Sequence, residues 1–229
     1  MDAYIVCIGD ELLTGDIVDL NSTWLAKSLT EQGTIVKRIE VIPDDIDVIV
    51  QTLKAIKADK IVVTGGLGPT HDDVTREAVA RAFDRKLIKD PEAVKVVEAN
   101  AARHNRSPLP QSYNMANIPE NTVVIPNPVG AAPGFIVEGR VYTFPGVPSE
   151  MKAMFELVKD QFKGPKLLVD WLIVQRPESA LVDDLNEAVR LFPQVAFGSY
   201  PSDVVKIKMK SYDAGQLQAA KDWLSQHIL

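Results

Sequence analysis

The sequence holds one cysteine, Cys7, and three histidines in 229 residues. A single thiol can form neither an internal disulfide nor a thiolate cage, which excludes a disulfide-stapled export scaffold and a cysteine-based zinc site. His71, His104 and His227 are scattered, with no second histidine at metal-pair spacing. Positive charge is not in surplus either: 25 Lys and Arg stand against 31 Asp and Glu, a formal net charge of −6. Non-specific phosphate binding along a duplex needs a cationic excess, so duplex DNA is excluded as a main partner and no nucleic-acid partner is expected. No window reaches the ~18 uninterrupted apolar residues of a membrane span, and no basic leader precedes an apolar core at the N-terminus. The expectation is therefore a cytoplasmic protein without a membrane partner. With 46% hydrophobic and 24% charged residues, the chain has the composition of a globular protein able to bury a sizeable core.

The periodicity then places elements. Ala3 to Ile8 reads as a strand, followed by a Gly- and Asp-rich loop and a helix from near Ser22 to Gly33. Val36 to Ile42 reads as strand and Pro43 as the first turn of a helix carrying Ile46, Ile49, Val50 and Leu53 on one stripe. Lys60 to Thr64 is a third strand, leading through Gly65-Gly-Leu-Gly68 into a helix with Val74, Ala78, Val79, Ala82 and Phe83 on one face. That alternation implies parallel strands joined by right-handed crossovers, whose ligands bind beyond the strands' carboxyl ends. Pro91 to Asn105 reads as a helix, and Ser107 to Pro128 as a long loop with a short strand at Val123 to Ile125. A hairpin turning at Glu138-Gly139 and a helix after Pro145-Gly-Val-Pro148 complete a domain spanning 1–164. Residues 165–229 read β-α-β-β-α, a small α+β domain with helices on one face of an antiparallel sheet. There Lys206, Lys208 and Lys210 alternate with Val205, Ile207 and Met209, which reads as a solvated sheet face in preference to the alternative, a nucleic-acid surface.

Gly, Pro and carboxylates concentrate at four predicted strand ends: Gly9 to Gly15, Pro43-Asp-Asp45, Gly65 to Thr75 and Pro145 to Glu150. In a parallel sheet the first three share an edge, gathering Asp10, Glu11, Asp44, Asp72 and Asp73 around one crevice. Carboxylates crowded this way disfavour one another's ionised forms unless a cation neutralises them, and a hard divalent ion suits oxygen ligands. Gly65, Gly66 and Gly68 allow a sharp turn that offers N–H groups to an anion at a helix start. Neither a dinucleotide fingerprint nor a P-loop is present, since His71 stands where a third glycine would be and no Gly-x4-Gly-Lys-Ser/Thr occurs. The combination points to metal-assisted phosphoanhydride chemistry, with a carboxylate positioning or deprotonating water. Plainer readings stand beside it: a tight turn for Gly65 to Gly68, helix capping for Asp72 or Asp73, dipole complementarity for Asp44 and Asp45, and a helix N-cap for Ser149.

Four ordered motifs, Gly9-Asp-Glu-Leu-Leu-Thr-Gly-Asp-Ile-Val-Asp19 with Asn21-Ser22, Thr64-Gly-Gly-Leu-Gly-Pro-Thr-His-Asp-Asp-Val-Thr-Arg-Glu77, Asn127-Pro-Val-Gly-Ala-Ala-Pro-Gly-Phe135 and Phe144-Pro-Gly-Val-Pro-Ser-Glu-Met151, resemble the competence/damage-inducible CinA family. Residues 1–164 are similar to the molybdopterin-binding domain shared with molybdenum-cofactor enzymes of the MoaB/MogA type and with part of animal FAD synthase. Residues from about 165 look like the family's small KH-type domain. The resemblance implies a mainly parallel-sheet α/β sandwich with a second, smaller α+β domain, a homo-oligomer, and metal-dependent pyrophosphatase activity on ADP-ribose. It makes Asp44 and Asp73 the functional carboxylates, and matches Asp10, Glu11, Gly146, Ser149 and Glu150 to family motifs. The deamidase domain of longer relatives is not expected in this chain, and the small domain's family motif Gly-Ile-Gly-Glu-Ser is replaced by Gln175-Arg-Pro-Glu-Ser179.

The reading assigns Asp44 and Asp73 to catalysis, and Gly65, Gly66, Gly68, Thr70, His71, Gly146 and Ser149 to phosphate or nucleotide. Asp10, Glu11, Asp72 and Glu150 are assigned to a divalent ion (Mg, Mn or Co), with a monovalent cation as a further candidate. The expected reaction is hydrolysis of a nucleotide pyrophosphate such as ADP-ribose. The alternatives are molybdopterin binding and adenylation, FAD hydrolysis, and a non-catalytic nucleotide-binding module.

Overall fold

The computed structural model describes residues 1–228 and divides into two units, Met1–Gly164 and Pro165–Leu229. Along the first run β1 (Asp2–Ile8), α1 (Asp10–Thr14), α2 (Asn21–Glu31), β2 (Ile35–Ile42), α3 (Ile46–Ala55), β3 (Lys60–Gly65), α4 (Thr75–Ala82) and β4 (Leu87–Lys89). They are followed by α5 (Pro91–Arg103), a 3-10 helix (Pro110–Ala116), β5 (Asn117–Pro119), β6 (Val123–Ile125), β7 (Gly134–Val137), β8 (Val141–Pro145) and α6 (Pro148–Val158).

β1 is apolar on both faces, sending Val6 and Ile8 into one layer and Ala3, Ile5 and Cys7 into the other. Such a strand belongs in the middle of a sheet covered on both sides. It pairs in parallel with β2 and β3, and β3 pairs in parallel with β8. β7 and β6 then add antiparallel, giving the order β2-β1-β3-β8-β7-β6. The β7–β8 hairpin turns at Glu138 (φ 55°) and Gly139 (φ 62°), two consecutive left-handed residues of the kind tight hairpins require. One face of the sheet buries Ile49, Leu53, Ala78, Val79, Ala93 and Val97 from α3, α4 and α5. The other buries Leu25 and Leu29 of α2 with Met151, Met154 and Phe155 of α6, where Phe155 meets Trp24 edge-on at 5.4 Å and stacks on Phe162 at 5.4 Å.

Helix starts follow local chemistry. Asp45 caps α3 by accepting from the Val48 N–H at 2.9 Å, and Asp90 caps α5 through Glu92 and Ala93 with Pro91 in the first turn. Pro43 therefore precedes α3 rather than opening it. The expected long loop at 107–128 holds the 3-10 helix and β5, which pairs with β4 in a separate two-stranded sheet.

The second unit comprises β9 (Leu168–Val174), a 3-10 turn (Glu178–Leu181), α7 (Val182–Leu191), β10 (Ala196–Tyr200), β11 (Val205–Ser211) and α8 (Ala214–Ile228). Its antiparallel sheet, ordered β10-β11-β9, buries Leu172, Val174, Val205, Ile207 and Met209 against Leu181, Ala188, Leu217, Ala220 and Leu224. No helix among the described residues is long and apolar enough to cross a membrane.

Candidate functional site

Because β2, β1, β3 and β8 are parallel, the segments after Ile42, Ile8, Gly65 and Pro145 emerge at one edge. Between them lies a crevice of about 610 Å³, within the size range of small-molecule sites. Ile8, Leu12, Ile17, Val18, Leu67, Met115 and Ala132 form its apolar wall, while Glu11, Asp19, Asn21, Asp44, Asp72, Asp73 and Glu150 supply polar groups. Gly65, Gly66, Gly68 and Gly146 line it too, whereas Asp10, Thr70, His71 and Ser149 do not.

Asp10 and Asp44 face each other across two loops. The Asp10 N–H donates to Asp44 Oδ2 at 3.1 Å, and the Asp44 N–H donates to Asp10 Oδ1 at 3.3 Å. Burial raises the Asp44 carboxyl above its ordinary value, and the charges of Asp10, Glu11 and Asp72 raise it further. Crowding of carboxylates at this edge is thus a physical fact of the site. Even so, among the described residues no three His, Cys, Asp or Glu side chains come together in a constellation that could hold a metal ion. Asp10, Glu11, Asp72 and Glu150 do not form a preassembled ion cage; Glu150 lines the crevice with its carboxylate accepting from Asn127 Nδ2 at 2.7 Å.

Asp73 organises the glycine turn. Its Oδ1 accepts from the Gly68 N–H at 2.8 Å, and its Oδ2 accepts from the Thr70 N–H at 2.8 Å and from the Thr70 hydroxyl. A Cβ on Gly68 would stand 2.6 Å from Asp73 Oδ2, so glycine is needed there for close approach of the carboxylate. Beneath the turn the buried Arg76 donates to the Leu67 carbonyl, and Asp73 offsets the desolvation that lowers its pKa. Neither Asp72 nor Asp73 caps α4, whose N-cap is Val74 without a side-chain bond.

Several expected phosphate holders are committed otherwise. The Gly68 N–H is spent on Asp73, and the Gly146 N–H donates to the Gly65 carbonyl at 3.0 Å. His71 is fully exposed beside Asp72. Ser149 is not the N-cap but the second residue of α6, after Val147 and Pro148. Cys7 lies under the crevice as an inert thiol: burial above all, with the Asp19 carboxylate adding, pushes it up to about 12.

Sequence reasoning passed over Asn21 and Asn127 as site residues. Asn21, buried in the crevice wall, donates from Nδ2 to the Gly146 carbonyl at 2.7 Å and so ties the first loop to the fourth, while its Oδ1 has no partner. Asn127 is saturated: Oδ1 accepts from the N–H groups of Val129 and Gly130, and Nδ2 donates to Ala132 and Glu150. Polar amides inside loops already rich in glycine and proline were the available signal, since such side chains replace backbone partners.

Residues 4–164 match the family model described as a probable molybdopterin binding domain, and residues 166–229 match that of the middle domain of FAD synthase. A protein of Archaeoglobus fulgidus is 40% identical over 223 residues, 96% of this chain and 95% of its own length. A CinA-like protein of Trichormus variabilis is 40% identical over 179 residues, covering 73% of this chain but 43% of that protein. The crystal structure of the protein CinA of Thermoplasma acidophilum, described as of unknown function, is similar with a TM-score of 0.65 and 34% identity, over 72% of this chain and 100% of that one. With four motif loops converging on one crevice and both units matched, the chain belongs to the CinA family of proteins built on a molybdopterin-binding-type domain.

Proposed function

We propose that the crevice binds a phosphorylated pterin-type ligand. The observation that carries this reading is the Asn21 Oδ1 atom, a buried acceptor without a partner in the wall of a largely apolar crevice of about 610 Å³. An orphaned acceptor costs about 1–3 kcal/mol, which a ligand N–H recovers once the wall shifts enough to uncover this enclosed oxygen; the pterin ring carries such donors beside a flat face suited to the apolar wall of Leu12, Leu67 and Met115. The match of residues 4–164 to a probable molybdopterin binding domain supports the ligand class. Phosphate is directed to the start of α6, where Val147, Pro148 and Glu150 line the crevice and the first-turn N–H groups lack an intrahelical partner. Asp73 acts by fixing the glycine turn, and Asp44 by presenting a carboxyl that burial and the neighbouring charges make more basic than an ordinary Asp.

A second reading, hydrolysis of a nucleotide pyrophosphate such as ADP-ribose or FAD, is favoured by Asp44, because a carboxyl raised by burial and neighbouring charge is tuned towards base work. No three His, Cys, Asp or Glu side chains among the described residues stand grouped for an ion, so Mg²⁺, Mn²⁺, Co²⁺ and monovalent cations enter as assay variables. Equilibrium binding of a phosphorylated pterin, with ADP-ribose as competitor and AMP release followed in parallel, separates the two. Pterin binding that ADP-ribose fails to displace supports the first reading; AMP release without pterin binding replaces it with the second.

A further inference from the structure

The small unit has helices on only one face of its sheet. On the open face the register sets Lys206, Lys208 and Lys210 of the central strand β11 between Tyr200 and Gly198 of β10 and Trp171 and Ile173 of β9. Trp171 and Tyr200, two strands apart, reach across β11 until their ring centroids stand 5.5 Å apart at 55°, and they remain 43% and 48% exposed. The Lys208 ammonium lies 5.0 Å from the Trp171 ring centre. No carboxylate occupies any of the nine outward positions of the three strands, although the unit carries eight carboxylates against seven Lys and Arg. Asp170, on the opposite face of β9, is neutralised by Lys221 of α8 at 2.8 Å. The charge is therefore sorted, with cations alone on the aromatic face.

A merely solvated face does not account for Trp171, Ile173 and Val169 standing exposed in one row. A second copy laid face to face would set the lysine row against itself, which like-charge repulsion opposes. What matches a flat aromatic surface flanked by ammonium groups is a chain of phosphates bearing unstacked rings. We infer that this face binds single-stranded nucleic acid, with bases resting on Trp171 and Tyr200 and phosphates held by Lys206, Lys208 and Lys210. An open sheet whose aromatics stack bases is a recurrent mode of such recognition, and it tolerates sequence because every base has a π-face. The net charge of −6 still argues against duplex DNA, whose bases are already stacked and offer nothing to the two rings.

The test is fluorescence anisotropy of the full chain with labelled oligo-U, oligo-dT and a duplex, each of ~10 nucleotides, the span of an ordinary single-strand site. The ribo and deoxy arms distinguish RNA from DNA as the source. Binding of a single strand but not the duplex is expected, weakening about 18-fold between about 50 and about 200 mM salt if three ammonium groups displace counterions. Trp171→Ala should weaken it at least about five-fold through lost stacking. Lys208→Gln, which removes the ammonium beside Trp171 while keeping most of the side-chain stem, should weaken it and flatten the salt dependence. Absence of single-strand binding at ~100 µM protein in low salt, equal affinity for the duplex, or full binding by the folded Lys208→Gln and Trp171→Ala proteins would overturn the inference. Self-association lost on Trp171→Ala without oligonucleotide binding would overturn it in favour of a second copy.

Discussion

Replacing Asp73 by alanine removes the acceptor around which the glycine turn is built. The Gly68 N–H, partly buried, loses its 2.8 Å bond, and leaving such a donor unpaired costs about 1–3 kcal/mol. The Thr70 N–H and hydroxyl are exposed and regain water, which limits their loss to about 0.5 kcal/mol each. The buried Arg76 also loses the charge that offsets its desolvation. Together these come to about 3 kcal/mol, or roughly 6–12 °C in the midpoint of a unit of this size. Asp73→Asn keeps an acceptor for Gly68 but turns an amide N–H₂ towards the Thr70 N–H, so it should fall about halfway. Differential scanning calorimetry of the three proteins measures this directly. A Tm for Asp73→Ala within ~1 °C of the parent would refute the idea that the carboxylate holds the turn.

Asp44 should show the opposite sign. Its folded pKa is raised above the ordinary 3.8, so ionisation costs stability as pH rises from that value through the folded one, and the cost is complete above both. Asp44→Asn, which can still accept from the Asp10 N–H, is therefore expected to melt higher than the parent at pH 7 and to converge with it on acidification; a gap that widens at low pH contradicts this. Gly68→Ala places a Cβ 2.6 Å from Asp73 Oδ2, and the resulting shift should cost about 1–3 kcal/mol in urea unfolding. Phe155→Ala, at the centre of the aromatic packing with Trp24, Phe144 and Phe162, should cost about 3–5 kcal/mol in the same assay.

Legibility in the sequence followed the range of the forces involved. The central strands were readable because β1, β3 and β8 carry mostly apolar residues on both faces, and a doubly covered sheet satisfies such strands. With them came the shared edge and the crowding of Asp10, Glu11, Asp44 and Asp72, since parallel pairing decides where strand ends meet. The short strands β4 and β5 escaped because three residues carry no period, and their pairing joins positions about thirty apart in the chain. Within the site, residue types were legible but their partners were not. Asp73 reads equally well as a cap, a ligand or a base, and only the fold shows its oxygens given to Gly68 and Thr70. Asn21, although part of a quoted motif, drew no site role for the same reason: its value lies in reaching Gly146, 125 positions away, and in the oxygen left unpartnered. On the small sheet, alternation correctly put Lys206, Lys208 and Lys210 outward, but not the aromatic pair reaching over them from two other strands.

The central claim, that the crevice takes a phosphorylated pterin through the free oxygen of Asn21, is tested most directly by calorimetric titration of such a pterin into the parent protein and Asn21→Ala. The substitution removes one 2.7 Å bond together with the unpartnered acceptor, so the fold should melt within roughly 3 °C of the parent. The account predicts saturable binding to the parent and at least about ten-fold weaker binding to the variant. Equal affinity in the two proteins, or no binding to the parent, would contradict it.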